Sequence, residues 1–407
     1  MRSNQKEINR EAGTLLTALI VIVIAVIAFS SVSSGDSVQN PQKQSEQEPL
    51  RLDATLIQVP AIVTDRAGKF IADLSQYDFT VSEDGKRQDI SLFAAVKQPF
   101  NAVLVIDTSN SAQDRLAVIQ NAAVNFTNQL RDGDRMMTIS FDNEIRQLTD
   151  FTADRKELEQ AIKGTESGFG KLLYEAVTRA LETLRDVEGR RAVVLFSDGV
   201  DMRSIEASAE SSIRLAEEIG AVIYVVHFDT RWWIEAEARR EAIEHPKSKT
   251  PYVIDGRIPL PPDFGGPDPT PTGIPKPGSP RIEIGQRPQP PVVYDPGPGG
   301  SRTRIPDTSP EDEIGTTLNK LYGEADSYLQ SITSRTGGKV YLADTFVDTR
   351  AAFAAIADEL RNQYLIGYYS ATGRRDGKYH KIKLDVARKG LQVRARPGYR
   401  VASEFAK

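Results

Sequence analysis

Apolar and polar positions alternate with different periods along the chain, and the changes of period divide it. Leu15 to Phe29 is almost entirely aliphatic within an uncharged stretch from Ala12 to Gly35, and Arg2, Lys6 and Arg10 precede it. As a helix that centre would run about 22 Å, and extension through Ser34 approaches the roughly 30 Å of a bilayer's hydrocarbon layer. A basic start, an apolar core and small residues such as Ala28 and Ser30 predict an export signal, either cleaved or kept as a membrane anchor. Residues 1–35 are therefore read as signal or anchor, and the polar residues 36–49 as a linker.

Leu56, Ile57, Val59, Ile62 and Val63 then predict a strand, Asp65 to Lys69 a turn, and Phe79, Val81, Ile90 and Leu92 the flanks of a hairpin around Glu83-Asp84-Gly85-Lys86. This β segment, residues 50–98, is too small to bury a core alone and needs a partner within the chain. From Asn101 strands and helices alternate. Ala102 to Ile106 is a short apolar run suited to a central parallel strand, and Leu116, Ile119, Ala123, Phe126 and Leu130 follow at helical spacing. Strands at Met136 to Phe141, Ala192 to Phe196 and Ala221 to Phe228 and helices around Tyr174 to Leu184 and Ile205 to Glu218 complete residues 99–230. Repeated β-α units of this length force crossovers, hence a doubly wound, mostly parallel sheet with helices on both faces.

Residues 231–313 open as a helix and become a Pro/Gly-rich insertion. Pro251 to Pro310 holds 17 of the 23 prolines, which denies it helix and sheet interiors, so it reads as a linker-like surface excursion. Its PxxP-like spacing also suits an aromatic groove. Residues 314–370 resume the α/β pattern with a helix near Asp326 to Arg335, a strand at Val340 to Leu342, a helix through Phe353, Ile356 and Leu360, and a last strand at Tyr364 to Tyr369. Residues 371–402 alternate again, and they are expected to pair with residues 50–98 in a small β-sandwich-like unit.

Composition removes several chemistries. The chain of 407 residues has no cysteine, which excludes disulfides, thiolate nucleophiles and lipoprotein attachment. Its three histidines, His227, His245 and His380, do not pair at ligand spacing, which argues against a histidine-rich zinc site. A net charge of -5 gives no general attraction to nucleic acid. His227 ends an apolar strand with no nucleophile tied to it, and Ser109 and Ser111 have no evident general base. Trp232 and Trp233 stand where ligands would enter, either as a partner contact or packed on the following helix.

The sharpest local feature is Asp107-Thr108-Ser109-Asn110-Ser111, directly after the first buried strand, with Asp198 in Ser197-Asp198-Gly199 after a second. Strand ends of open α/β sheets gather ligands, and carboxylate and hydroxyl oxygens suit Mg²⁺. Each acidic loop alone is equally an ordinary turn or cap.

On these residues the sequence resembles the von Willebrand factor A family, particularly bacterial exported members with flanking β segments. Tyr77-Asp78-Phe79-Thr80-Val81-Ser82-Glu83-Asp84-Gly85, Asp376-Gly377-Lys378-Tyr379-His380-Lys381-Ile382 and Val393-Arg394-Ala395-Arg396-Pro397-Gly398-Tyr399 are similar to that subgroup. The resemblance implies a Rossmann-like fold and a metal-ion-dependent adhesion site. Asp107, Ser109 and Ser111 match the first motif of that site and Asp198 its later aspartate. Where the family commonly places Thr before a Leu-Tyr-x-Ala helix, Gly168-Phe169-Gly170-Lys171-Leu172-Leu173-Tyr174-Glu175-Ala176 offers Lys171. Either the Lys171 ammonium replaces the cation between Asp107 and Asp198, or it points to solvent and leaves a weakened Mg²⁺ site.

The resemblance thus implies a non-enzymatic module of the periplasm, cell envelope or cell exterior. Its expected partner is a protein offering a carboxylate or other polar contact, with no cofactor or a weakly bound Mg²⁺. The alternatives are a Mg²⁺-assisted hydrolase using Asp107 and Asp198, which would also need a base and a pocket, and a scaffold with an inactive site.

Overall fold

The computed structural model describes residues 56–95, 98–244, 252–254, 258–260, 313–370 and 377–401. The apolar segment and linker expected over residues 1–49, and most of the proline-rich stretch, lie outside them. Among the described residues no helix is long and apolar enough to cross a membrane.

The chain begins with β1 (Leu56–Thr64), β2 (Phe79–Glu83), β3 (Lys86–Gln88) and β4 (Leu92–Ala94). The α/β part follows: β5 (Phe100–Asp107), a 3-10 turn over Asn110–Arg115, α1 (Leu116–Thr127), β6 (Arg135–Phe141), β7 (Ile145–Gln147), α2 (Arg155–Lys163) and α3 (Leu173–Thr183). It continues through β8 (Arg190–Ser197), α4 (Ala209–Ile219), β9 (Val222–His227) and α5 (Arg231–Glu244). After a short hairpin of β10 (Tyr252–Ile254) and β11 (Ile258–Leu260) come α6 (Glu313–Thr336), β12 (Lys339–Leu342) and α7 (Phe346–Arg361). The last strands are β13 (Gln363–Tyr369), β14 (Tyr379–Val386), β15 (Gln392–Ala395) and β16 (Gly398–Arg400).

Six strands form the central sheet in the order β12-β9-β8-β5-β6-β7, all parallel except β7. Its pleat sorts the apolar runs into two layers. On β5, Ala102, Leu104 and Ile106 join a core with Ile119, Phe126, Leu158 and Phe353 from α1, α2 and α7. Val103 and Val105 join the opposite core with Val177, Leu181, Ile219 and Ile332 from α3, α4 and α6. A strand apolar on both faces is what helices on both sides require, and this is the doubly wound, mostly parallel fold expected.

Two four-stranded antiparallel sheets, β15-β1-β13-β4 and β16-β14-β2-β3, enclose a separate core of Ile57, Val59, Ala61, Val63, Phe79, Val81, Tyr364, Ile366, Tyr368, Ile382 and Tyr399. Strands from the two ends of the chain interleave in both sheets: β1 pairs with β13 and β15, and β2 with β14.

Three local differences separate this fold from the sequence reading. Tyr364 to Tyr369, read as a last strand of the α/β unit, pairs antiparallel with β1 and β4 instead. As an interior strand it is buried on both faces, so its continuous apolar run looks like a parallel strand's. Leu92 does not return along the hairpin; β3 stops at Gln88 and Leu92 begins β4 in the facing sheet. Helix α6 extends well beyond the Asp326 start read from the sequence.

The described residues all belong to one compact unit that starts at Asp53. Within it, the sandwich meets the beginnings of the parallel strands. Arg190, the first residue of β8 and 2% exposed, donates to the carbonyl of Gln363 at 2.6 Å and to that of Gln98. Arg394 reaches Glu359 of α7 and the Gly337 carbonyl ahead of β12, and Arg400 bonds Glu217 of α4 at 3.1 Å. The opposite, carboxyl edge of the sheet is left to the loops that carry Asp107, Lys171 and Asp198.

Candidate functional site

Strands β5 and β8 run in register, Ile106 beside Phe196, so the residues that end them emerge side by side. Asp107 closes β5 and Asp198 follows β8, and both are 0% exposed. The loop between α2 and α3 brings the third group. Gly168 donates its N–H to the Thr108 carbonyl at 2.9 Å, and Leu172 to that of Asp142 at 2.9 Å. A Cβ at Gly168 would lie 2.2 Å from Asp142 Oδ2, so only glycine lets the loop pass there. Asp142 cannot easily yield, because the Arg146 guanidinium holds it at 2.7 and 3.1 Å. The Lys171 carbonyl in turn accepts from the N–H groups of Met202 and Arg203 at 3.1 and 3.0 Å, tying this loop to the one after Asp198.

The loop delivers the Lys171 side chain inward, 3% exposed, into an ion pair with Asp198 Oδ2 and 3.8 Å from Asp107 Oδ2. Hydroxyls and amides supply further hydrogen bonds to both carboxylates. Asp107 Oδ1 accepts from the N–H and hydroxyl of Ser109, and Oδ2 accepts from the Ser197 hydroxyl at 3.0 Å. Asp198 Oδ1 accepts from the Val200 N–H at 3.1 Å, and Oδ2 from the Thr230 hydroxyl at 2.6 Å. Thr230 also lies 2.7 Å from the Tyr322 hydroxyl of α6, and the Ser109 and Ser111 hydroxyls are 3.3 Å apart. Burial raises the Asp107 carboxyl above its ordinary range, the Lys171 ammonium works against that rise, and the charge of Asp198 adds to it.

All five residues singled out in the sequence therefore meet at one edge of the sheet. Sequence reasoning missed Ser197, Thr230 and Tyr322. Ser197 and Thr230 were findable as hydroxyls at or just after the ends of β8 and β9; Tyr322 lies 92 positions from Thr230, and no local signal connects them. His227 closes β9 buried, with Nε2 3.6 Å from Asp326 Oδ1. Trp232 is half exposed at the same edge.

A divalent ion of the Mg²⁺ type needs oxygen ligands at roughly 2.0–2.1 Å in an octahedral shell. Here an ammonium stands where the two carboxylates converge, with no lone pair to offer a cation. The donor set as folded does not fit such an ion. A second cluster is capable by composition of holding a metal: Glu83, Asp84 and His380 bring ligand atoms within 4.8 Å of one another. Its groups already bond one another and the sandwich, with Asp84 Oδ2 2.8 Å from His380 Nδ1 and Glu83 accepting from the hydroxyls of Ser370 and Tyr399 at 2.7 and 3.1 Å.

Residues 102–200 match the family model of the von Willebrand factor type A domain. No curated protein matches the chain. Among solved structures, the three N-terminal domains of the type V pili tip protein Mfa5 from Porphyromonas gingivalis align at 21% identity over 36% of this chain, with a TM-score of 0.24. That alignment spans only 28% of the Mfa5 chain. BatB from Bacteroides thetaiotaomicron aligns at 22% identity over 32% of this chain and 66% of its own, TM-score 0.28. An aerotolerance-related membrane protein from Bacteroides fragilis aligns at 16% identity over 64% of this chain and 98% of its own, TM-score 0.34.

Proposed function

We propose that this chain is an extracytoplasmic protein-recognition module that works without a divalent ion, Lys171 holding the adhesion-type site together in its place. The observation that carries the reading is the buried ammonium between Asp107 and Asp198. At 3% exposure it does not reach a partner directly, so recognition falls to the loops around it. Those loops carry exposed apolar side chains: Phe169 beside Lys171, Ile205 after β8, Trp232 after β9, and Leu342 and Val347 at the end of β12 and the start of α7. Five exposed large apolar residues on one edge favour a contact surface over a scaffold whose contacts lie elsewhere.

The test is capture from detergent-solubilised envelope with the full-length chain as bait. A specific partner is expected to be recovered equally with and without EDTA, and to be lost when Phe169 or Ile205 is changed to Asp. Recovery that EDTA abolishes would overturn the reading, as would recovery indifferent to both substitutions.

A further inference from the structure

Tyr379, Lys381, Ile382 and Pro397 have no part in the edge site, yet they help to line a cavity of their own. Ile382 packs in the sandwich core and His380 is buried, so the alternate residues Tyr379, Lys381, Lys383 and Asp385 stand on the outer face of β14. Together with Ser82 of β2 and Arg335 near the end of α6, they line a space of about 750 Å³. Tyr379 forms one wall and has little freedom. A Cβ on Gly398 would come within 2.4 Å of its ring, and the guanidinium carbons of Arg335 and Arg400 lie 5.1 and 5.9 Å from the ring centroid.

The charges do not cancel. Glu217 is shared by Arg335 at 3.2 Å and Arg400 at 3.1 Å, and Arg400 also acts on the Glu218 carboxyl beside it. Lys383 is matched by Asp385 at 2.8 Å. Of the charged side chains that line the cavity, Arg335, Lys381 and Lys383 are cationic and Asp385 alone is anionic, a surplus of two that Glu217 and Asp84 offset in part from outside the lining. A phosphate monoester carries about -1.5 to -2 at pH 7 with three acceptor oxygens, whereas a carboxylate offers one charge and two oxygens. Guanidinium and ammonium groups make the strong, charge-assisted hydrogen bonds such an oxyanion needs.

We propose that this cavity binds a phosphomonoester, Lys381 making the principal contact and Arg335 and Lys383 supporting it. The group comes either from a soluble sugar or polyol phosphate or from a lipid headgroup of the same chemistry. The full-length protein in neutral detergent is titrated with glycerol 3-phosphate by calorimetry, and in a second arm is tested for cosedimentation with vesicles containing phosphatidic acid. Binding in the first arm assigns a soluble ligand; binding in the second alone assigns the headgroup. In whichever arm binds, Lys381→Gln is expected to weaken binding about tenfold, while Lys156→Gln, the same charge change on exposed α2, leaves it intact. The proposal fails if neither arm binds, or if the two variants bind alike.

Discussion

Lys171 shows how one side chain changes the chemistry of a site without changing its frame. Asp107 and Asp198 are fixed by strand ends, and their oxygens would repel one another in a buried edge without a counter-charge. The ammonium supplies that charge within the fold. It does so although it precedes the first turn of α3, where the helix dipole disfavours a cation, so the carboxylates and not the helix must hold it. Lys171→Met keeps length and apolar stem but removes the charge, leaving two uncompensated carboxylates. We expect it to lower unfolding stability by about 3–5 kcal/mol in urea titrations. Lys171→Thr, which restores an oxygen ligand and vacates the space, is expected to bind Mg²⁺ in calorimetric titration and to regain thermal stability when the ion is added. The wild type is expected to do neither; tight Mg²⁺ binding by the unaltered chain would remove the tethered-ammonium idea. Asp107, Ser109, Ser111, Lys171 and Asp198 were legible in the sequence because each sits in a short motif at a strand end or just before a helix. Tyr322 was not, since its role depends on how α6 packs across β9.

At the scale of single elements, the hairpin of β2 and β3 illustrates what turn chemistry fixes. Asp84 and Gly85 both take positive φ, 47° and 82°, as a two-residue turn between twisted strands demands. Asp84 is also held from β14: its carboxylate contacts His380 Nδ1 at 2.8 Å and accepts from the Lys381 N–H at 2.9 Å. The hydrogen bond from His380, then that from Lys381, lowers the Asp84 pKa below its ordinary 3.8. A carboxyl lowered on folding contributes stability above its unfolded value and loses it as pH falls through the folded one. Asp84→Asn tolerates the same backbone but has no such charge. In urea titrations its deficit relative to wild type is expected to be constant near pH 5 and to shrink as pH drops below about 3.8; a deficit unchanged at the acid end would show that the charge contributes nothing.

The elements that the sequence concealed share a cause. Helix α2 has only two buried apolar residues, Leu158 and Ile162, among charged ones, so its period is carried by a single repeat; its start is set by the Asp154 side chain, which accepts from Lys156 and Glu157 N–H at 2.8 and 3.4 Å. β13 erred the other way, being so apolar that its period could not be seen.

For the whole molecule, the sandwich is joined to the α/β layers by Arg190 and by arginines from one short run near the last strands, and this joint sits at the sheet edge away from the candidate site. Arg394 pairs with Glu359 and donates to the Gly337 carbonyl at 2.5 Å, while Glu359 also accepts from the Tyr341 hydroxyl at 2.8 Å. Arg396 is 5% exposed and approaches Gly220 so closely that a Cβ there would meet its Nη1 at 2.6 Å. Between them these contacts tie the starts of β9 and β12 to β15, so neither part exposes its lower surface while the other stays folded. The consequence is cooperativity: the described unit should unfold in one calorimetric transition. Removing Arg394 alone strands the mostly buried Glu359, at a cost of about 3 kcal/mol, and loosens the joint more than either core. Arg394→Met is therefore expected to split the single transition into two, with the sandwich melting first because its core is the smaller. Arg394→Met combined with Glu359→Leu, which leaves no buried charge behind, is expected to recover most of the stability but not the single transition. Recovery of both would mean that the two cores couple through backbone pairing, with the arginines adding only charge balance.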